Sequence, residues 1–441
     1  MLSLLVATML AQPANPGLLD AARAALRHPK VRSCVADRQV IEARHDEARA
    51  GQLPSLSLAA QLNRGTGNVV PGSSFATPGT PVSAGPPRGA SFDSGTWTTI
   101  ASLGVSFEVA NFVRRMREVD AQLARVESAR EREAVCALDA AYEAGSAFLD
   151  VAALTAALKA VDADRGRAEA LRSRTAALAK AALRPGAELA QADAELAGVE
   201  ARAATLRRDL RLAQARLAEA MGIEELPVMT LELPAVTASE REVAAHPRMR
   251  GAARDVDASE RFVAVARTGY LPRLEVAAAL WARGSGYPGA AGEQLGRSGN
   301  GLTPDVANWL AGVVVSWDIF DLPETRARVA GAEAEAAGRH AAYDATRLSL
   351  VNQLEGARAS VVEAQAVLRH TAPAVEASRL ALAQAEARYA SGLSDFLDVA
   401  RVRQLLTDAE LAHIAAEVGL ARATITLARA MGDVGALTEP R

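Results

Sequence analysis

Large aromatic side chains are scarce in this sequence. Trp, Tyr and Phe make up 4 % of its 441 residues, although the hydrophobic class reaches 50 % and much of that is alanine. A chain so short of large core-fillers suits long, closely packed helices better than a thick globular core. Charge of one sign is also missing. With 49 Lys and Arg against 52 Asp and Glu, the formal net charge is −3, and no basic field argues for nucleic acid. Cysteine is nearly absent: Cys34 and Cys136 form neither a CxxC pair nor a metal-ligand cluster, and they read as two small buried side chains rather than a disulfide. The scattered histidines and cysteines make no triad or metal spacing, and no GxxxxGK[ST] phosphate loop occurs, so neither an enzyme nor a cofactor is expected. Hydrophobic runs are short. Leu2–Leu10 has the length of a signal-peptide core but lacks the usual preceding Lys or Arg, so 1–14 is expected to be a signal peptide or a disordered N-terminus. Neither cysteine directly follows that run, so no lipid-anchored N-terminal cysteine is expected. Beyond it no stretch of 18 uncharged apolar residues occurs, and no transmembrane helix is expected.

What the chain does have is a duplication. "HPKVRSCVADRQVIEARHDEARAGQLPSL" at 28–56 shares its His-Pro, Arg, Asp, Glu, Gly and Leu-Pro positions with "HPRMRGAARDVDASERFVAVARTGYLPRL" at 246–274, an offset of 218. "LGVSFEVANF" at 103–112 pairs with "VVVSWDIFDL" at 313–322, and "AMG" at 220–222 with "AMG" at 430–432, both at an offset of 210. The offset changes inside two Gly/Pro/Ser-rich segments, 64–95 and 283–308, which read as loops of unequal length. The chain is therefore two copies of one unit, 15–222 and 223–433, followed by a tail at 434–441.

The segments flanking those loops alternate with period two. Leu56, Leu58, Ala60 and Leu62 share one face of the first, and Trp97, Thr99, Ala101, Leu103, Val105, Phe107 and Val109 one face of the second. Leu274, Val276, Ala278 and Leu280, then Trp309, Ala311, Val313, Val315 and Trp317, repeat this in the second copy. Period two predicts strands at about 54–64, 96–109, 273–283 and 308–319, and about ten residues suits a tilted membrane-spanning strand. All four tryptophans, Trp97, Trp281, Trp309 and Trp317, fall in these segments, where an interfacial aromatic girdle would place them.

The remainder is helical. Residues 111–182 contain no proline and few glycines, and Val113, Met116, Val119, Leu123 and Val126 form a coiled-coil-like stripe. About seventy residues of helix would span about 105 Å. Residues 322–390 repeat the pattern with Leu348, Val351, Leu354, Val361 and Leu368, with Pro373 expected to bend the helix. Each long helix breaks and returns, at 181–196 and 389–406, giving hairpins over about 111–222 and 322–432. Pro185 and Ser394 suit the starts of the returning helices and Gly392 the end of the one before. His28-Pro29 and His246-Pro247 start shorter helices, and no chemistry is assigned to these histidines.

Four strands cannot close a barrel, the smallest of which need about eight, and open edges cannot face lipid. The barrel must be shared between chains, and composition alone allows two, three or more. The doubled His-Pro…Leu-Pro unit, the "VSFEVANF" and "VSWDIFDL" junctions, the "YASGLSDFLDVA" tip and the paired "AMG" ends, in this order, resemble the TolC-type outer-membrane efflux proteins over about 15–433. The resemblance implies a mainly α chain whose duplicated helical hairpins build a coiled-coil tunnel and whose four strands join a shared trimeric 12-strand β-barrel. It implies a homotrimer in the outer membrane that serves as a passive exit duct and reaches into the periplasm. Its partners would be a periplasmic adaptor (membrane fusion) protein and an inner-membrane transporter of RND, ABC or MFS type, and it would contact outer-membrane lipid. On the family pattern Tyr389, Asp398 and Glu188 would form a gate, with Arg401 standing where the family has a second acid and Ser394 where it has arginine. Ala182, Leu183, Gly392 and Leu393 would form the adaptor-docking tips. The competing reading is a soluble or peripheral coiled-coil scaffold, and the lipid-facing alternation of the strands separates the two.

Overall fold

A computed structural model describes residues 17–66, 95–181, 186–225, 242–286, 301–304 and 306–439. The N-terminal run, most of both Gly/Pro/Ser-rich segments and Ala182–Pro185 lie outside them. The chain forms two compact units. One comprises the described parts of Met1–Ile41, Arg125–Val256 and Arg339–Arg441, and the other Glu42–Ala124 and Asp257–Gly338.

The second unit is built on one antiparallel sheet in the order β1 (Ser55–Thr66), β2 (Gly95–Glu108), β3 (Arg273–Ser285), β4 (Val306–Ser316). Leu53-Pro54 and Leu271-Pro272 stand just before β1 and β3, as a proline ring biases the preceding residue toward extended backbone. The register carries the alternation across all four strands: Leu58 faces Leu103, Leu103 faces Leu280, and Leu280 faces Trp309. All four apolar sets thus fall on one face. Ser57, Ser102 and Asn308 lie on the other, and Ser55 and Ser106 hydroxyls meet across β1 and β2 at 2.7 Å. Among the described residues the outer edges of β1 and β4 have no partner strand. Leu58 is 82 % exposed and Trp309 76 %, so the apolar face is uncovered as well. The fourth strand ends at Ser316, earlier than the alternation suggests, and Ile319–Asp321 turns as a 3-10 helix ahead of the next long helix.

The helices are α1 (Leu18–Ala25), α2 (Pro29–Ala50), α3 (Val109–Lys180), α4 (Gly186–Met221), α5 (Pro247–Arg267), α6 (Leu322–Ala390), α7 (Phe396–Ala430) and α8 (Val434–Thr438). The last of these lies where a plain tail was expected; its Asp433 cap accepts from the Ala436 N–H, and Leu437 is buried with Leu18 of α1 in the main core. That core also takes Leu138, Phe148 and Leu149 of α3, Leu217 of α4 and Ile425 of α7. α6 runs through Pro373 as one helix. Stretches of α3 and α7 are long and apolar enough to cross a bilayer by hydropathy when a few charged residues are allowed, but both helices carry buried residues of this core, so some of that apolar surface serves helix packing.

The duplicated motifs meet each other within the first unit. Gly222 and Gly432 end α4 and α7 with φ of 69° each, and the following amides bond back to Ala218 and Ala428 carbonyls, as left-handed helix ends require. A Cβ on Gly222 would sit 3.0 Å from His28 Cδ2, and one on Gly432 would sit 2.6 Å from Pro247 Cδ. Each His-Pro therefore packs on the glycine of its own copy's "AMG". The histidines are structural: His28 and His246 Nδ1 accept the Lys30 and Arg248 amides at 3.0 Å, capping α2 and α5. Burial lowers the His246 pKa below its ordinary value, a fall that the Arg429 carbonyl opposes.

The cysteines correct the expectation of two separate thiols. Cys34 on α2 and Cys136 on α3 form a disulfide, with Cα atoms 6.7 Å apart. α2 runs antiparallel to α3, and Arg38–Glu133 and Lys30–Glu143 ion pairs flank the bridge. On α3 the acids that meet α5 continue the pattern, with Glu127 to Arg254 at 3.0 Å and Glu131 to Arg250 at 2.7 Å.

Candidate gate at the helical tips

α6 ends in a tight reversal. Gly392 has φ 76°, its amide bonds to the Tyr389 carbonyl and the Leu393 amide to the Arg388 carbonyl, so the turn requires a residue without a Cβ penalty. Asp395, rather than Ser394, caps α7: its carboxylate accepts the Asp398 amide at 2.9 Å. An ionised acceptor at that position also meets the positive helix end, which a serine hydroxyl does less strongly. The cap leaves Leu393 at the apex, 79 % exposed.

The reversal places Tyr389 one turn before the apex, pointing inward and buried. Its hydroxyl donates to Glu188 Oε2 at 3.2 Å and lies 3.3 Å from Thr175 Oγ1. Thr175 is fully buried and donates to the Leu171 carbonyl. Glu188 stands in the first turn of α4, where a carboxylate is favoured by the helix dipole. Three helices, α3, α4 and α6, are joined at this one phenol. Asp398 and Arg401 instead lie on the exposed face of α7, with no ion pair between them among the described residues. The structure thus brings Tyr389 and Glu188 together and leaves Asp398 and Arg401 outside their contact; Ala182 and Leu183 fall outside the described residues.

A second polar cluster, absent from the sequence expectations, lies farther along the same helices. Arg403 of α7 is almost wholly buried, donating from one guanidinium nitrogen to Asp164 of α3 and from the other to Glu195 of α4, each at 2.7 Å. Arg167 of α3 pairs with Glu410 of α7 at 2.9 Å. The signal was a charge in an apolar row: Val399, Arg403 and Leu406 step by four and three along α7. Between the two clusters lie Leu171, Ala192, Phe396, Val399 and Ala400, buried together.

The tryptophans divide by strand register. Trp97 is on the apolar face, with the Arg64 guanidinium 5.6 Å from its ring centroid. Trp309 shares that face but sits within the row of Leu103 and Leu280. Trp281 faces the other way, opposite Ser102 and Asn308. Trp317 follows the end of β4 and is 56 % exposed. No group of His, Cys, Asp and Glu suited to a metal ion occurs among the described residues.

The model of one protein family, outer membrane efflux protein, matches residues 21–223 and 239–433, one match for each copy. No curated protein matches the chain. Among solved structures, the outer-membrane channel OprN is 25 % identical with a TM-score of 0.77, covering 94 % of this chain and 89 % of its own. The outer membrane protein VceC of Vibrio cholerae is 20 % identical with a TM-score of 0.77, covering 94 % of this chain and 96 % of its own. The CmeC outer membrane channel of Campylobacter jejuni is 14 % identical with a TM-score of 0.76, covering 94 % of this chain and 85 % of its own.

Proposed function

The chain belongs to the outer membrane efflux protein family, and on that premise we propose that it forms a homotrimeric, passive exit duct whose tips carry a gate. The observation that carries the reading is the sheet: four strands, two unpartnered edges and one uncovered apolar face. A bilayer tolerates no open edge, so three copies closing twelve strands satisfy what one copy cannot. Leu348, Val351 and Val362 of α6 are exposed in the single chain, which supports further helices beside them in the trimer. A coiled-coil scaffold has no use for the apolar sheet face, so that reading is not favoured. In this reading Trp97 and Trp317 would meet the headgroup regions and Trp309 the lipid tails.

In this reading Tyr389 and Glu188 hold the second hairpin against the first and so keep the tips together. Opening would separate them while leaving the sheet unchanged. Asp398 and Arg401, exposed on α7, would form opposing charged rings around the axis. The apex residues Gly392 and Leu393, with Ala182 and Leu183, would meet a periplasmic adaptor that couples the duct to an inner-membrane transporter. The test is fractionation and conductance: the protein should enter the outer membrane as a heat-labile trimer and form low-conductance pores in planar bilayers. A stable monomer with full strand content in detergent would overturn the shared barrel. A bulky charged substitution at Gly392 should abolish efflux while trimers still insert.

A further inference from the structure

We infer that Arg403 is the positioning residue of the gate: its buried fork to Asp164 and Glu195 sets where the second hairpin's returning helix lies against the first hairpin. The inference rests on the reading of Tyr389 and Glu188 as a latch. The fork spans α3, α4 and α7 from a side chain 3 % exposed, to Asp164 equally buried and Glu195 half-exposed. Guanidinium geometry makes this directional, because two carboxylates on two helices must both lie in one plane with α7. Glu195 stands seven residues along α4 from Glu188, about 10 Å, and Arg403 seven along α7 from Phe396. The apolar cluster of Leu171, Ala192, Phe396 and Val399 is thus bracketed by the phenol at the tip and the guanidinium behind it.

A purely structural role would not require this group. A buried ion pair is commonly no more stabilising than apolar residues of the same volume, and the first copy does without it. The residue 210 positions before Arg403 is Asp193, which is exposed and pairs with Arg172. Among the described residues the buried arginine belongs only to the helix that follows the Gly392 turn. Its Nε finds no acceptor among the described residues, so the cluster retains an unmet donor where an apolar side chain would have none. What the fork supplies is a defined position. Sliding or rotating α7 strains one or both charge-assisted hydrogen bonds, and loss of the Arg403 bond leaves buried Asp164 with only the longer Arg167 contact, at 3.9 Å.

The experiment measures resting conductance of full-length trimers in planar bilayers, with heat dissociation of the same trimers as the control. Arg403→Lys keeps the charge beside Asp164 but cannot fork to both acids. It should raise resting conductance about tenfold, the scale of one charge-assisted hydrogen bond lost, with an unchanged dissociation temperature. Tyr389→Phe is measured beside it. Wild-type conductance in Arg403→Lys, with Tyr389→Phe raised, overturns the role of Arg403 and leaves the latch standing. Wild-type conductance in both overturns the latch as well. Should Arg403→Lys yield no trimer, Glu195→Ala becomes decisive under the same criteria, because it removes the half-exposed acceptor and leaves the buried pair with Asp164 intact.

Discussion

Replacing Tyr389 with Phe removes one hydroxyl from the proposed gate and leaves the ring in the same apolar surroundings. The lost groups are a hydrogen bond to Glu188 at 3.2 Å and a hydroxyl contact to Thr175 at 3.3 Å. A hydrogen bond to a charged acceptor contributes about 1.5–3 kcal/mol net. Glu188 is only half-buried, so water recovers part of this when the phenol is gone, and about 1 kcal/mol per protomer is the better figure. That is about a fivefold shift toward separated tips in each protomer, and about a hundredfold if three protomers must part together. Single-channel recording measures it as resting conductance or open fraction, and heat dissociation of the trimer checks that assembly is unaffected. Glu188→Ala and the double variant complete a cycle, in which the two changes should be non-additive by about the same 1 kcal/mol. Additive effects, or wild-type conductance in Tyr389→Phe, would refute the idea that this contact holds the tips.

Four further outcomes follow from named residues. Arg401→Asp should strengthen cation selectivity and block by trivalent cations, because it replaces a positive ring with a negative one, while Asp398→Ala should weaken both; unchanged block in Arg401→Asp would mean that the side chain faces away from the conducting path. Gly432→Ala should lower the thermal midpoint more than Gly222→Ala, since the added Cβ would lie 2.6 Å from Pro247 Cδ in one case and 3.0 Å from the His28 ring in the other. Replacing Cys34 and Cys136 together by alanine should cost about 2–4 kcal/mol, seen as a lower denaturant midpoint, because the bridge spans 102 residues of sequence; equal midpoints before and after reduction of the wild type would contradict it. The His246 pKa is below its ordinary value of 6.5 in the folded chain, so the unfolded chain takes up the proton first; stability should be full above that value and fall as pH drops from it toward the folded pKa, a loss that His246→Gln should flatten in melts across the range.

Sequence alone made the repeated architecture legible because period two and the His-Pro and "AMG" punctuation act locally. Leu58, Leu103, Leu280 and Trp309 each lie on the face that alternation assigns, and one register joins them. The punctuation was correctly read as helix starts and ends, but its contact was not visible, since His246 and Gly432 meet across 186 residues. The same distance in sequence hid the Cys34–Cys136 bridge: spacing does not reveal that α2 lies antiparallel on α3 with flanking ion pairs in step. Trp281 lies in β3 with parity opposite to that of Leu280 beside it, so it stands on the face that carries Ser102 and Asn308.

The candidate gate shows where duplication stops being informative. Both copies keep the backbone devices, a His-Pro start and a left-handed glycine end, since these serve any hairpin of this length. The charged groups at the tips differ: Arg403 answers to Asp193, Asp164 to Ala374 and Glu195 to Leu405 at the offset of 210. Only one half of each of these pairs can carry a buried fork, so the two hairpins cannot be mechanically equivalent at their tips. A protein that only had to stand as a tube could repeat its contacts as it repeats its fold. The unequal charges instead tie the second hairpin onto the first, with Tyr389 and Arg403 both supplied by the second hairpin and Glu188, Asp164 and Glu195 all supplied by the first. In the proposed opening, parting the second hairpin from the first would break all three of these contacts together.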